Sequence, residues 1–361
     1  MYNFYVYNQN KERLGILYNI VSSVWKEQYF GVGEISINVI FDENLNEILQ
    51  LGNYIHKDDG TSFCQIEFIE KNENAETPII SIKAKTGKDL LKTRTVMGEV
   101  EVTTLGSFYD VIEENKRGLN IDIWRGAFHT EIIEDLVYNF VDLGKVADEY
   151  LTENGLSYNI DFSLGDNFIF KIVQGTDRRE STNNYVGFFS DKLGNLISSS
   201  LDLSFENYSN YAIIKADKNK VFYINEVGSE QRREMLIDMT SFTQEYTTSK
   251  YKGDDSKGNP IFQEVQKKYT NERYKELVLR KARVQFNNAR MLESMTTINA
   301  EARDTDLLKL NQDFFLGDIL PLKNMALGID VNVRVSEIIY TLDGNGYSTV
   351  FSLEILKESE I

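Results

Sequence analysis

Two histidines, His56 and His129, and one cysteine, Cys64, are the residues of this 361-residue chain best suited to metal or nucleophilic chemistry. Neither histidine has the HExxH spacing and no Cys/His cluster exists, so a zinc site has no ligand set. A catalytic thiol needs a helix N-terminus and a nearby histidine, whereas Cys64 lies in a strand pattern and reads as a small core residue. Thr86-Gly87-Lys88-Asp89 pairs glycine with lysine but lacks the first glycine of a P-loop, so it reads as a helix start. GxSxG is absent, which removes the serine-hydrolase elbow. Asp254-Asp255-Ser256-Lys257-Gly258 puts a lysine where a calcium loop needs a ligand and has no closing glutamate at the right distance. Among 56 acidic residues some pair falls at a glycosidase separation by chance, so carboxylates give no specific signal. Arg178-Arg179-Glu180 and Arg232-Arg233-Glu234 recur and read as surface ion pairs. Trp25 and Trp124 read as core or interface anchors. No catalytic, cofactor-binding or metal-ligating residue is assigned, and no cofactor is expected.

The elements that would hold any site are mostly strands. Only 3 prolines occur, while 20 tyrosines and 21 phenylalanines give an aromatic bias that favours sheet. A net charge of −17 argues against specific nucleic-acid binding or adhesion to an anionic membrane, because phosphate recognition needs clustered Lys and Arg. One cysteine cannot make an intrachain disulfide, which fits synthesis in a reducing cytoplasm. The N-terminus alternates like a strand and shows no secretion signal, and no apolar run is long enough for stable membrane insertion.

Residues 1–106 read as consecutive strands, among them Phe4 to Tyr7, Ile20 to Trp25 and Glu34 to Val39, with a short helix within Gly87 to Met97. At Ser107 the pattern changes. Ser107 with Asp110 resembles a capping box, Gly118 a stop, and the stripe Ile132, Ile133, Leu136, Val137, Phe140 and Val141 predicts a helix from Thr130 to Leu143. Strands return at Ser157 to Phe162 and Phe168 to Val173. Asp191 to Asn195 reads as a turn. Tyr211 to Lys215, Val221 to Asn225 and Met235 to Asp238 read as short strands. Thr247 to Pro260 reads as a flexible polar loop, and Pro260 opens a predicted helix to about Met291 with a mixed stripe through Ile261, Val265, Tyr269, Leu277 and Val284. Ser294 to Ala302 is strand again. The chain closes on a hairpin in which Val331, Val333 and Val335 share one face and Asp343 to Gly346 make the turn.

Part of the beginning echoes this end. Leu51-Gly52-Asn53 reads like Leu316-Gly317-Asp318, and Glu67-Phe68-Ile69 like Glu337-Ile338-Ile339. From Glu67 to Ile80 and from Glu337 to Val350 the separation is 13 in both cases. The pattern predicts an internal duplication with an extra loop in the second copy.

Three stretches carry a family resemblance: Val24-Trp25 through Tyr29 to Ile35; Ser190-Asp191-Lys192-Leu193-Gly194-Asn195 through Asn210-Tyr211, with Arg232-Arg233-Glu234 and Asp238 downstream; and Leu316-Gly317-Asp318-Ile319 with the final hairpin. In order and spacing the chain resembles the phage tail hub family, the siphophage-type tail-associated hub related to the central hub of contractile tails and tail-like bacteriocins. The resemblance implies an α+β, β-rich fold: two tube-type β-barrel domains plus an α+β middle domain and a long helix. The first barrel would span 1–106 and the middle domain 107–204. The second barrel would comprise 205–250 and 293–361, with the loop and long helix of 251–292 inserted in it and packing with the middle domain. It implies a non-enzymatic virion baseplate protein: a homotrimer whose pseudo-sixfold ring joins the tail tube or distal tail protein to a central spike, fibre or tail-tip protein, near the tape-measure protein, with DNA passing an acidic lumen. Wall-degrading activity is expected on another chain, since this one ends at Ile361. A wall-degrading enzyme, or a glycan-binding adhesin using Trp25 as a sugar platform, are the competing readings.

Overall fold

The computed structural model describes residues 3–356 apart from 59, 74–76, 127–135, 153, 164, 166, 204–207, 230, 255, 257–259 and 291–295. Strand outweighs helix, 48% against 17%, so the fold is α+β and β-rich as expected. Two compact units form: residues 1–199 with 299–354, and residues 200–298 with 355–361.

The N-terminal strands are β1 (Phe4–Tyr7), β2 (Arg13–Ile16), β3 (Ile20–Gln28), β4 (Glu34–Ile40), β5 (Tyr54–Lys57), β6 (Phe63–Asn72) and β7 (Ile79–Thr86), with helix α1 (Glu43–Ile48) between β4 and β5. Their alternation sets one face inward: Ile35, Ile37 and Val39 of β4 are buried beside Ile80, Ile82 and Ala84 of β7. The Asp42 carboxylate caps α1 by accepting from the amides of Asn44 and Leu45.

A layer follows with α2 (Asp89–Lys92), β8 (Glu99–Val102), α3 (Leu105–Asn115), β9 (Ile121–Trp124), β10 (Leu136–Asn139), α4 (Leu143–Thr152), β11 (Leu156–Asp161) and β12 (Phe168–Gln174). Its sheet runs β11-β12-β9, and β10 pairs with β8. Leu90, Val96, Phe108, Ile112, Tyr150 and Phe170 share one hydrophobic core with Tyr54 and Phe63, so a boundary at 106 cuts through a packed cluster. The cap of α3 differs from expectation: Thr104 is the N-cap and Ser107 its reciprocal partner. The helix predicted over Thr130 to Leu143 is also corrected where it can be seen. Leu136–Asn139 is a strand, Phe140 adopts φ 50°, and the helix begins only at Leu143. Asp142 accepts from the Lys145 amide at 2.7 Å and so starts α4, which places Gly144 inside a helix instead of ending one. The first half of that predicted helix, and His129, lie outside the described residues.

The remaining strands of the large sheet are β13 (Phe189–Ser190), β14 (Leu196–Leu203), β20 (Thr296–Ala302), β21 (Ile319–Asn324), β22 (Ile329–Asp343) and β23 (Gly346–Ile355). The ladder order is β14-β20-β23-β22-β3-β4-β7-β6-β5-β1-β2, with β21 and β13 attached beside β22.

The second unit takes in the end of β14 and the start of β20 and, between them, β15 (Tyr211–Ala216), β16 (Val221–Asn225), β17 (Glu234–Met239), β18 (Glu245–Asp254), β19 (Pro260–Lys268) and α5 (Asn271–Arg290). β15 is central, antiparallel to β16 and parallel to β17. Helix α5 buries Tyr274, Val278, Ala282 and Phe286, a strict four-residue spacing, against Ala212, Ile214, Ile224 and Ile237. This stripe is not the mixed one expected from the sequence. The polar stretch expected to be a loop is a hairpin, β18 on β19. Pro260 starts a strand, and Thr270, whose hydroxyl accepts from the Arg273 amide at 3.2 Å, starts the helix. Residues 205–250 therefore belong with 251–292 in one unit and not to the second strand repeat.

Candidate assembly interface

Two corners organise the large sheet. In the first, the Gly52 amide donates to the Ile66 carbonyl (2.8 Å), the Ile66 amide to Asn53 (2.8 Å) and the Asn53 amide to Gln50 (3.2 Å). In the second, the Gly317 amide donates to Val335 (2.8 Å), the Val335 amide to Asp318 (3.0 Å) and the Asp318 amide to Phe315 (3.1 Å). Both glycines need the left-handed region, with φ 82° and 93°. The same three bonds at both sites make Ile66 the counterpart of Val335. The echo therefore shifts by one residue from the sequence reading: Glu67 falls on Ser336, and Ile82 on Phe351, both of the latter buried. β6 carries a β-bulge between Ile66 and Phe68 in its pairing with β7. The strand orders agree as well, β5-β6-β7-β4-β3 against β21-β22-β23-β20-β14.

One edge of β22 is shared by two partners. Ile329 to Arg334 pair with β21, and Glu337 to Leu342 pair antiparallel with β3. This seam joins the two strand repeats. It contains a buried ion pair, Lys57 to Glu27 at 3.1 Å, with the ammonium 3.7 Å from the centre of the Tyr340 ring. Trp25 donates to Glu27 at 3.1 Å and stacks on Phe4 with ring centroids 5.6 Å apart. At 1% exposure Trp25 offers no platform to a sugar, so that role is corrected. Trp124, in contrast, is 56% exposed and anchors no core.

The second corner is pinned to the layer below it. The Asp318 carboxylate accepts from Arg178 Nε (2.6 Å) and from the amides of Thr176 (2.6 Å) and Phe315 (3.0 Å). Arg334 donates to the Gly317 carbonyl at 2.8 Å. The Tyr29 hydroxyl accepts from the Gly175 amide (3.1 Å) and lies within donating reach of the Gly155 carbonyl (3.0 Å). Arg178 was expected on the surface. The Asp318 bond, 140 residues away in sequence, is why it is not.

Lys88 does not cradle phosphate. Its ammonium is buried and donates to the carbonyls of Gln28 (3.0 Å) and Tyr29 (2.7 Å) and to Ser157 Oγ (3.0 Å), while the Ser157 hydroxyl donates to Tyr29. Burial draws this ammonium from the ordinary 10.5 down to about 7, against the upward pull of Asp148 and Glu27. The unfolded chain then binds more protons than the folded one between about pH 7 and 10, so stability rises with pH across that window and Lys88 adds no slope below it. In denaturant titrations the Lys88→Met variant is expected to lose that rise; parallel profiles for the two proteins would refute it.

Cys64 is buried and burial pushes its thiol well up, which suits a core residue. His56 lies 3.1 Å from the Gly60 carbonyl and packs on Tyr7 and Phe162. Among the described residues no group of three His, Cys, Asp or Glu is placed to hold a metal, and no described helix is long and apolar enough to cross a membrane. Most of the calcium-like stretch Asp254 to Gly258 lies outside the described residues.

The architecture is that of phage tail proteins. It is similar to the tail protein from Neisseria meningitidis (TM-score 0.60, 9% identity, covering 99% of each chain). It is similar also to the 43 kDa tail protein of prophage MuSo2 from Shewanella oneidensis (TM-score 0.61, 11% identity, 99% of this chain and 100% of that one). A third likeness is to a chain in the Francisella PdpA–VgrG complex (TM-score 0.50, 12% identity), of which this chain covers 52% while 98% of its own length aligns. The chain belongs to the Siphovirus ReqiPepy6 Gp37-like protein family, whose model matches residues 111–352. No curated protein sequence matches it.

Proposed function

We propose that this tail protein is the hub: a homotrimer whose two strand repeats per chain make a pseudo-sixfold ring, joining the tail tube or distal tail protein to a central spike or fibre in the baseplate. The observation that carries it is the repeated corner, Gly52-Asn53-Ile66 and Gly317-Asp318-Val335, bonded the same way twice in one chain. Two like modules in each of three copies present six like seats, which suits a threefold object that must meet a sixfold tube. The likeness to a chain solved within a PdpA–VgrG complex supports a tail-tip partner. The net charge of −17 suits a passage that does not retain DNA. The role is assembly, without catalysis.

The test is light scattering of the purified chain at high concentration, with labelling of the protein in electron micrographs of tails. Mass for three copies and a label at the tail end are expected, together with a blank peptidoglycan zymogram. A single-copy mass at every concentration, with no label on tails, sinks the reading.

A further inference from the structure

We infer that copies of this chain join by strand pairing, the outer half of β6 in one copy lying against β14 of the next. This rests on the ring reading above and specifies its contact.

Within the chain, the corresponding junction is already made. β22 gives its first half to β21 and the same edge of its second half to β3. β6 is the counterpart of β22. Its first residues, Phe63 to Gln65, pair with β5, as β22 pairs with β21. Beyond the bulge, Glu67 to Lys71 pair with β7 on one side. On the other side, where β22 holds β3, no strand lies among the described residues.

β14 is the counterpart of β3. Among the described residues it ends the ladder, bonded to β20 alone, so the edge that β3 gives to β22 holds no described strand on β14. The chain thus repeats one junction and leaves both halves of a second, identical one at opposite ends. They are seven strands apart along the ladder and cannot meet within one copy without closing it.

Side chains agree. Ile338 and Tyr340 on the occupied edge are 1% and 4% exposed. Their counterparts on β6, Ile69 and Lys71, are half-buried and exposed, and neighbouring Phe68 is 46% exposed. On β14, Ile197 is 46% exposed and is followed by Ser198 and Ser199. From Leu196 to Leu201 β14 carries no charge and so puts no like charge against Glu70; its one acidic residue, Asp202, lies toward the Glu67 end. An open edge of this kind is a template for another chain, and joining unlike edges head to tail closes into a ring.

The experiment is a cysteine scan on the full chain. Glu70→Cys, at the position matching Ile339, is combined in turn with Ile197→Cys, Ser198→Cys and Ser199→Cys. As an internal control, Ile339→Cys is combined with Lys26→Cys, which are partners across the existing seam. Oxidation is expected to yield reducible two- and three-copy species at one of the three positions, at least about tenfold above any single-cysteine variant, since a disulfide needs Cα atoms within about 7 Å. Hydrogen exchange of the unmodified protein covers the case of a variant that fails to fold: amides 67–71 should slow at least about tenfold on assembly. A three-copy mass with no cross-link at any position and no such protection overturns the strand pairing and leaves the ring standing. A protein that stays single at all concentrations defeats the ring and the pairing together.

Discussion

Replacing Gly175 by alanine is expected to leave little folded protein. A Cβ on Gly175 would stand 1.8 Å from the Gly317 carbonyl oxygen, 2.3 Å from its carbon and 2.9 Å from the Asp318 nitrogen. These are backbone atoms and cannot rotate aside. One chain must move, and the bonds around it hold both: the Ile319 amide donates to Thr176 at 3.0 Å and the Arg178 amide to Ile319 at 2.9 Å. Ordinary overpacking costs about 1–3 kcal/mol, and a rigid backbone clash belongs at or beyond the top of that range. Gly228→Ala is the control, since nothing lies within 4 Å of its added carbon and its backbone needs no left-handed angle. It should stay within about 0.5 kcal/mol of the parent. Denaturant melts read both, and a Gly175→Ala midpoint equal to wild type would disprove the contact.

Asp318→Ala should be nearly as damaging, at about 3–5 kcal/mol, the usual loss when one partner of a buried ion pair is removed. The Asp318 side chain is 3% exposed and that of Arg178 15%, so the orphaned guanidinium has little access to water. Two amides, those of Thr176 and Phe315, lose their acceptor at the same time. Asp318→Asn keeps an acceptor oxygen, and asparagine is what the first corner uses: Asn53 donates its Nδ2 to Ile48 at 2.9 Å. That variant should fall between the two. A double-mutant cycle with Arg178→Ala tests the coupling, and additive losses would show that the pair does not act as one.

The corner glycines and their acidic or amide neighbours were legible in the sequence, because a left-handed turn restricts residue choice. So was the alternation of β4 and β7, whose buried faces follow the two-residue period. The register was not. Glu67 and Glu337 align by eye, but the hydrogen bonds of the two corners match Ile66 to Val335 and so put every partner one residue away. The stretch around Leu136 misled for a different reason: a short apolar run fits helix and strand alike, and only the pairing with β8 decides it. The β18–β19 hairpin has too few apolar residues to announce itself. Arg178 with Asp318, and Gly175 with Gly317, are long-range encounters, and nothing in either local segment marks them.

The interruption between β14 and β20 has a consequence of its own. In the first repeat the matching passage, from β3 to β4, takes only Tyr29 to Gly33, so the sheet asks for no more than a tight turn there. In the second repeat a whole folded unit is spliced into that turn, entering and leaving on adjacent strands about 5 Å apart. A guest housed on such closely spaced ends can be enlarged, trimmed or exchanged while its host keeps every strand in order.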